Sequence, residues 1–526
     1  MVDLAVPKSL RKVNEERGII LDYLVPAWHE LMEDWATTVP KIAFDDATSH
    51  MQLLQNTQNK AGLVITDYQP QLMTKLNEMA LAPSKIFSVF DYLQGVNHFA
   101  SRIIDLHDLN WPDDTSFNYT AFRVYAIRKD KLYAKVIFDN QGKILAVEYY
   151  DQQGRLNRIL DFDSRGFISR ERQLDNQHPV LHTYYDEQGH WRFKHHLQSD
   201  EVEINADLPR FTKQLHYSRL TDLVSEIVET QFLAHLHKED NLIVTMDDQS
   251  LVKNETFAKL RPVYSVSGWH PFQKTLQVLR GEANQGVLVD SEETSAMLKK
   301  SYMVAIQTGV IPLFPSQFKL GHSQRISQQR IGVFVEDVDP NMLRPIIELV
   351  YQRLLKNPKG EALYMFAYTS EKEQLANQMI EELKAAHPGE FKLKPEKPML
   401  KRSIPDEDDQ TPELEIRVHR WTNNNDVMSA LDKIRLVIDW GERPDSFLQM
   451  ATINVGIPQI RQVGTAAIVD RKNGFVCENM LQLPVALSYY MDSLKNWNMA
   501  LTYDVQMLNQ YSEENMLKVW QRVTAK

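Results

Sequence analysis

The chain has 526 residues, of which 43% are hydrophobic and 25% are charged, and its formal net charge is −11. These values are typical of a multidomain globular protein, and the acidic balance argues against a nucleic-acid partner. The single cysteine, Cys477, excludes an internal disulfide and a cysteine-based zinc site, so together with the lack of a signal-like N-terminus we expect a cytoplasmic protein.

The predicted elements begin with the apolar run GIILDYLVPAW at residues 18–28, which is typical of a buried parallel strand. Similar runs, AGLVITDY, NLIVTMD and GVLVDS, alternate with helical stretches such as residues 220–237. A second series begins with IGVFVEDVD at Ile331 and continues through ALYMFAY, LEIRVHRW and IRLVIDWG. Two such series predict two Rossmann-like α/β domains, with a boundary in the polar stretch 321–330.

The segment between Tyr119 and Leu197 has a different pattern. Turn motifs recur there at steps of 12, 12, 12 and 11 residues, as DNQG, DQQG, DSRG, DNQH and DEQG at Asp139, Asp151, Asp163, Asp175 and Asp186. Asp at the first position and Gly at the fourth favour a type I turn. The spacing predicts an inserted antiparallel β-meander with one buried face and one wet face that carries Asn157 and Asp161.

This meander is either a structural insert or a docking surface. Its wet face offers Tyr, Trp and Arg side chains, which are enriched at protein interfaces. Because its hairpins close locally, we also expect the segment to be separable from the two α/β cores.

The stretch GIPQIRQVGTAAIVDRKNGFVCEN spans residues 456–479 and contains G-x-P, then V-G, then N-G-F. This ordered set resembles the C-terminal domain of retaining glycosyltransferases with the GT-B fold. A nucleotide-sugar site needs backbone N–H groups for the diphosphate, carboxylates for the sugars, and cations for the leaving group.

The resemblance implies a donor site without those charged groups. The family's two donor-binding glutamates would fall at Arg443 and Ala451, and a third near Ala467; the stretch EDVDPNMLRP, where a cation pair is expected, holds only Arg344. A guanidinium buried at Arg443 would still tolerate a diphosphate, so weak nucleotide binding stays compatible with the sequence. The degenerate donor-site cleft is predicted to comprise Arg443, Ser446, Ala451, Gly464, Thr465 and Ala467.

Five further stretches carry a second resemblance: LVPAWHE with Trp35, FDDATSHMQLLQ, FSVFDYLQGV, YYDQQGRLNR and ERPDSFLQMATINVGIPQI. In this order they resemble the first of the three accessory secretory proteins of the Gram-positive accessory Sec system. The resemblance implies a GT-B-like pseudo-glycosyltransferase without enzymatic activity, cofactor or metal. The implied partners are the other two accessory secretory proteins, the accessory SecA motor ATPase and a glycosylated serine-rich adhesin preprotein.

Smaller signals remain open. The N-terminal stretch KSLRKVNEERG either caps the first domain or makes a peripheral membrane contact. In the second case its basic side chains would touch the anionic inner face of the membrane. The GWHPF motif at residues 268–272 follows an apolar strand and is either a packed loop or part of a ligand crevice. Paired carboxylates at 45–46, 113–114 and 247–248 are in turn or cap contexts, so we expect no metal site there.

The alternatives to a non-catalytic scaffold are an active retaining GT-B glycosyltransferase with an altered donor site, and a carbohydrate-binding module. An enzyme would have to supply an acidic side chain to the second-domain cleft from another loop. The predicted domain divisions are residues 1–118 and 206–325 for the first Rossmann-like domain, 119–205 for the inserted sheet, 326–504 for the second Rossmann-like domain, and 505–526 for a C-terminal helix that crosses back to the first domain.

Overall fold

The computed structural model describes residues 20–29, 45–96, 101–120, 123–139, 141–268, 270, 279, 286–302, 307–313, 321–395, 411–422 and 424–525. Within these ranges two parallel sheets and one long antiparallel sheet dominate the architecture. No helix in this part of the chain combines the length and apolar character that crossing a bilayer would require.

The N-terminal half contains these elements in chain order: β1 (Asp22–Val25), α1 (Asp46–Asn56), β2 (Ala61–Ile65), α2 (Leu72–Glu78), β3 (Lys85–Ser88), α3 (Val89–Gln94), β4 (Ser116–Tyr119), β5 (Arg123–Arg128), β6 (Lys131–Phe138), β7 (Ile144–Tyr150), β8 (Leu156–Asp163), β9 (Phe167–Asp175), β10 (His178–Tyr185), β11 (Trp191–His196), β12 (Val202–Ile204) and β13 (His216–Tyr217). The chain then returns through α4 (Leu220–Ile227), β14 (Asn241–Thr245), α5 (Asn254–Ala258), β15 (Val263–Val266), β16 (Gly286–Val289), α6 (Glu292–Tyr302) and β17 (Thr308–Val310).

The C-terminal half contains β18 (Gln329–Phe334), α7 (Pro340–Lys356), β19 (Glu361–Ala367), α8 (Ser370–Ala386), β20 (Lys392–Leu393), β21 (Glu413–Leu414), β22 (Ile416–Arg420), α9 (Asn424–Leu431), β23 (Leu436–Asp439), α10 (Ser446–Val455), β24 (Gln459–Arg461), β25 (Gly474–Val476), α11 (Leu483–Met491), α12 (Leu494–Gln510) and α13 (Glu513–Thr524).

Both α/β domains are built on parallel sheets that are buried on two faces. The first has the strand order β17-β16-β15-β14-β1-β2-β3, and the second has β22-β19-β18-β23-β24-β25. Strands such as β2, β15, β16 and β23 are buried at every position, as expected where helices cover both faces. The predicted pair of Rossmann-like domains is therefore present.

The inserted sheet is antiparallel throughout and runs from β4 to β13. Four of the five predicted turns form as expected, because the N–H groups of Gly142, Gly154, Gly166 and Gly189 each donate to the carbonyl of the Asp three residues earlier. The fifth turn, at Asp175, instead has positive φ at both central residues, Asn176 and Gln177. Gly166 has a φ of +88°, and a Cβ there would lie 2.1 Å from the carbonyl oxygen of Arg102, so only glycine fits this turn.

The prediction that the Asp161 face of the meander is exposed to solvent is wrong, because this face packs on the first domain around Asp161. Asp161 is buried, and accepts hydrogen bonds from Arg170 at 2.8 Å and Arg172 at 2.7 Å. The Arg170 guanidinium carbon lies 4.3 Å from the ring centroid of Tyr68, in the first domain. The charged residue Asp161 in the alternating pattern of β8 is therefore part of a buried ion pair and does not face solvent.

The expectation that the meander is separable is also contradicted. Tyr184 and Phe193 of the meander belong to the apolar core of the first domain, together with Val202, Ile204 and Tyr217 of the next two strands of the same sheet. Gln94 donates from the first domain to the carbonyls of Ser169 at 2.8 Å and Tyr185 at 2.7 Å. Removing the meander would uncover this shared core.

The C-terminal helix expected at residues 505–526 is divided between the end of α12, which packs on the second domain, and α13, which returns to the first. Trp497 of α12 is buried in a core of the second domain, whereas Trp520 of α13 is buried in a core of the first. The chain turns between them because Ser512 caps α13 by accepting a hydrogen bond from the N–H of Asn515, an arrangement that favours a new helix start.

Candidate functional site

The carboxyl ends of both parallel sheets carry charged side chains at the points where the strand order reverses. His29 follows β1 and Asp247 follows its neighbour β14, while Glu336 follows β18 and Asp439 ends its neighbour β23. Ligands of open α/β sheets bind in the crevice at such switch points. These four side chains therefore mark the two halves of the candidate site.

The predicted donor-site residues do not form one constellation. Ala451 and Ala467 are buried in the same apolar core of the second domain. Arg443 and Gly464 are exposed. The guanidinium expected to be buried at Arg443 is instead at the surface, because its loop lies outside the N-terminus of α10 and Glu442 beside it is exposed as well.

Ser446 and Thr465 are the two predicted residues that reach the cleft. The Thr465 hydroxyl donates to Gln449 Oε1 at 2.6 Å. The Ser446 hydroxyl donates to Asp290 Oδ2 at 3.3 Å, across the cleft in the first domain. Their partners are therefore a glutamine and a carboxylate, whereas a leaving diphosphate would need cations.

The second-domain crevice does contain acidic side chains, but the chain's own donors occupy them. Glu336 accepts hydrogen bonds from the N–H groups of Tyr368 at 2.9 Å and Thr369 at 3.2 Å. Asp445 caps α10 by accepting from the N–H of Leu448 at 2.6 Å and also accepts from the Tyr368 hydroxyl at 3.2 Å. Burial, reinforced by the charge of nearby Asp439, raises the pKa of Asp445 to about 7.

A buried cation at the end of β24 was not anticipated from the sequence. Arg461 is 1% exposed, and donates to Asp439 Oδ2 at 2.6 Å and to Gln449 Oε1 at 2.8 Å. A guanidinium at this position would otherwise be suited to a phosphate. Here its charge is neutralised by a carboxylate within the same sheet, as buried charges require.

The cleft between the domains is bridged by acidic side chains of the first domain. The Glu293 carboxylate, in the first turn of α6, accepts a hydrogen bond from the N–H of Ala466 at 2.6 Å. Asp290 accepts from the N–H of Gly268 at 3.0 Å in addition to Ser446. One backbone N–H group in the loop after β24, that of Ala466, thus faces a carboxylate of the chain itself instead of being available to a phosphate group.

The first-domain crevice holds a buried network of alternating imidazoles and carboxylates. His29 lies 3.0 Å from Asp67 and 3.1 Å from Asp247. Asp247 is 3.2 Å from His270 Nδ1, and the other ring nitrogen of His270 is 3.4 Å from Asp46. Four elements of the sheet therefore meet through charge pairs.

The surroundings of these groups shift their pKa values strongly. Burial alone would lower the pKa of His270, but pairing with Asp247 and Asp46 outweighs burial and raises the pKa to about 10. The same balance, with Asp247 and Asp67 as partners, raises the pKa of His29 to about 9. Both imidazoles are consequently cationic at neutral pH, and the neighbouring histidines hold the pKa of Asp247 below its usual range.

Asp45, Asp46 and His270 are close enough together to suggest a metal centre. However, Asp45 accepts from the Trp28 indole at 2.6 Å and from the N–H of Thr48 at 2.7 Å. One oxygen of Asp46 accepts from the hydroxyls of Ser265 and Thr245, and the other faces protonated His270. The hydrogen-bond donors around these carboxylates suit an ion pair with protonated histidine rather than coordination of a metal ion.

Sequence reasoning therefore missed this network, although one signal for it was present. His29 lies within LVPAWHE and His270 within GWHPF, and each follows an apolar strand. Of the two interpretations of GWHPF, the ligand crevice agrees with the position of His270 beside Asp46 and Asp247, but the sequence analysis did not single out this histidine. Strand ends that carry histidine or aspartate are the pattern that would have found it.

A sequence profile of accessory Sec system protein 1, the first accessory secretory protein, matches residues 25–525. The chain belongs to this family. A curated member of the same family from Staphylococcus aureus is 26% identical, over 94% of this chain and 97% of the relative. The family predicted from the quoted stretches is thereby confirmed.

Solved structures share the fold. One contains accessory secretory proteins 1, 2 and 3 of Streptococcus pneumoniae; it matches with a TM-score of 0.75 and 22% identity over 96% of this chain and 98% of that chain. The pneumococcal O-GlcNAc transferase GtfA, solved with UDP and GlcNAc, matches with a TM-score of 0.69 and 11% identity over 96% and 98% of the two chains. The predicted GT-B-like fold is confirmed.

Proposed function

We propose that the chain is a non-catalytic, glycosyltransferase-like scaffold subunit of the accessory Sec machinery that exports glycosylated serine-rich adhesins. The observation that carries this proposal is the contact between Glu293 and the N–H of Ala466 at 2.6 Å. A carboxylate at this position competes with a diphosphate for the same donor and repels its charge.

The crevice chemistry supports the same proposal. A retaining transferase needs carboxylates that face the donor sugar and cations that stabilise the leaving diphosphate. Glu336, Asp445 and Arg461 are each committed to internal partners. An active enzyme would have to break these bonds before it could bind its donor.

The partners follow from family membership. One solved relative contains accessory secretory proteins 1, 2 and 3 together, which supports a complex of this chain with the other two. Membership in the accessory Sec family also supports the accessory SecA motor and the adhesin preprotein as partners, and with them a cytoplasmic location. A peripheral membrane contact would depend on the N-terminal basic stretch, which lies outside the described residues.

Co-expression with the other two accessory secretory proteins tests the scaffold role. We expect one co-eluting species in size-exclusion chromatography that persists from low to moderate salt, because a specific interface of roughly 1,200–2,000 Å² is held mainly by apolar contacts. Separate elution of all three proteins at micromolar concentration would contradict the proposal.

A turnover assay tests the absence of catalysis. The purified chain, alone and in the complex, is incubated with UDP-sugars, and released UDP is measured against buffer. We expect no release above the buffer rate. Release that disappears on Gln449→Ala, but persists on replacement of exposed Arg443, would identify the crevice as an active site and overturn the proposal.

A further inference from the structure

The inserted sheet ends at β4, and the outer side of this strand is open. Among the described strands, β4 pairs with β5 alone. In an antiparallel pair, positions that exchange hydrogen bonds with the neighbouring strand alternate with positions whose backbone groups point away from it. The N–H of Thr120 donates to the carbonyl of Arg123 at 3.0 Å, so this pair is of the first kind. By alternation, the N–H and carbonyl groups of Phe117 and Tyr119 point away from β5.

These four backbone groups have no partner in the part of the chain that the structure describes. Ser116 and Asn118 are exposed, and Tyr119 is 62% exposed. The opposite edge of the same sheet differs, because β13 has only 2 residues and its Tyr217 is buried in the core of the first domain. Unpaired N–H and carbonyl groups of an edge strand can bind a further strand. The edge at β4 is therefore available for such pairing.

Aromatic side chains lie beside this edge. Phe117 and Tyr119 are on one face of the sheet, because residues two positions apart in a strand share a face. The ring centroid of Phe117 lies 5.3 Å from that of Trp111 and 6.4 Å from that of Tyr119. Trp111 and Phe117 are each partly exposed. Trp and Tyr are enriched among the residues that dominate binding energy at interfaces, so the edge offers aromatic anchors as well as backbone hydrogen bonds.

The charges around the edge select the kind of partner. β4 itself carries no charged residue. Near its first residue the carboxylates of Asp113 and Asp114 are balanced by Arg128, which lies 2.6 Å from Asp114, and by Lys129. Two further carboxylates in the preceding segment, Asp105 and Asp108, accept hydrogen bonds from backbone N–H groups of their own turn, and Arg123 follows the last residue of β4. A strand that is uncharged and apolar at alternate positions therefore fits this edge.

A second copy of this chain fits the edge less well. Two β4 strands would pair over 4 residues, or about 14 Å, whereas a specific, stable interface buries roughly 1,200–2,000 Å². A longer partner strand continues past β4 and covers Trp111. We infer that β4 docks an uncharged β-strand of one of the other two accessory secretory proteins, which extends the inserted sheet by one strand. This inference rests on the proposed function, because it assigns a surface to a partner of the scaffold.

Co-expression of full-length variants with the other two accessory secretory proteins tests the inference. Tyr119→Pro removes an outward N–H and leaves the hydrogen bonds between β4 and β5 intact, because proline is tolerated at edge positions whose N–H faces solvent. It should weaken the complex by roughly tenfold or more, measured as loss of co-elution over a dilution series in size-exclusion chromatography. Tyr119→Phe keeps the N–H and the aromatic ring and should co-elute as the wild-type chain does.

A matched charge at each edge of the sheet provides the control. Tyr119→Lys places a cation on the open edge and should weaken the complex, since charge on an edge strand opposes pairing. His216→Lys places the same charge on an exposed position of β13 and should leave co-elution unchanged. Hydrogen exchange of the wild-type chain gives a second measurement: the amides of Phe117 and Tyr119 should exchange roughly tenfold or more slowly in the complex than in the free chain.

The outcomes separate this inference from the scaffold proposal. Co-elution of Tyr119→Pro and Tyr119→Lys at wild-type strength, or unprotected edge amides in an intact complex, would overturn the inference and leave the scaffold standing. A wild-type chain that does not co-elute would overturn both. Self-association of the isolated chain that is lost in Tyr119→Lys would identify a second copy as the occupant and also overturn the inference. The exchange measurement uses the wild-type chain, so it decides the question even where a variant has a lowered melting temperature.

Discussion

The Glu293 carboxylate of the first domain accepts a 2.6 Å hydrogen bond from the N–H of Ala466 in the second domain. In active GT-B enzymes a cleft of this kind must admit a nucleotide sugar between the domains. Here the chain supplies its own anion to the loop after β24. This hydrogen bond and the one from the Ser446 hydroxyl to Asp290 therefore join the two domains across the cleft.

Replacing Glu293 should loosen that contact. Without its acceptor, the amide of Ala466 loses one hydrogen bond, and we expect Glu293→Ala to raise its hydrogen-exchange rate roughly tenfold. Glu292→Ala is the matched control, because Glu292 lies in the same first turn of α6 and is likewise exposed. Equal hydrogen-exchange rates of the Ala466 amide in the two variants would show that Glu293 does not protect this amide.

The histidine network should make stability sensitive to alkaline pH. A histidine whose pKa is raised on folding stabilises the fold fully below its unfolded pKa of about 6.5. That contribution declines as pH rises and is exhausted near pH 9 for His29 and near pH 10 for His270. The melting temperature should therefore fall between about pH 6.5 and 10.

His270→Gln should flatten this pH dependence and lower the melting temperature at pH 6.5. His190→Gln should do neither, because the His190 side chain is 63% exposed. A wild-type melting temperature that stays constant from pH 6.5 to 10 would contradict the assignment of protonated imidazoles to the crevice.

A second prediction of stability concerns the ion pairs that attach the meander to the first domain. Arg165 lies 2.7 Å from both Asp163 and Asp91, and Asp163 is buried. Arg165→Ala leaves Asp163 buried without its cation, so we expect a loss of about 3–5 kcal/mol in the free energy of unfolding. Urea unfolding measures this loss; Arg155→Ala, at an exposed pair, should change it by less than about 1 kcal/mol.

The C-terminal helix should be essential to the first domain. Trp520 is 1% exposed, and its indole donates to Asp22 of β1 at 2.8 Å. Trp520→Ala creates a cavity and should lower the free energy of unfolding by about 3–5 kcal/mol. Lys518→Ala, on the exposed side of the same helix, should leave the urea midpoint nearly unchanged; a similar shift in both variants would refute the packing role.

Local patterns predicted much of the fold. The Asp-to-Gly spacing predicted the turns of the meander, because a turn is determined by residues three positions apart. Long apolar runs predicted strands that are buried on both faces, such as β2. The break at Ser512 was missed because the apolar positions of α12 and α13 continue across it, and only the cap separates them.

The site was harder to predict because it depends on distant segments. The contact of Glu293 with Ala466 joins residues 173 positions apart, and no periodicity in either segment reveals it. Arg443 was expected to be buried from its place in a motif, yet burial depends on how the neighbouring loop leaves the domain. Asp161 was expected to be wet because charge usually faces solvent, whereas its arginine partners come from the adjoining strand.

The hydrogen bond from Trp520 to Asp22 spans 498 positions of the chain and has a consequence for biosynthesis. The core that begins with Leu24 of β1 also includes Met516 and Val523 of the last helix. A ribosome releases Met516 and Val523 only after the whole second domain, so the nascent first domain waits with an uncovered apolar surface while the second domain is made. Chains that terminate before α13 lack this cover and would be left to chaperones and proteases, so that only molecules that contain α13 reach assembly.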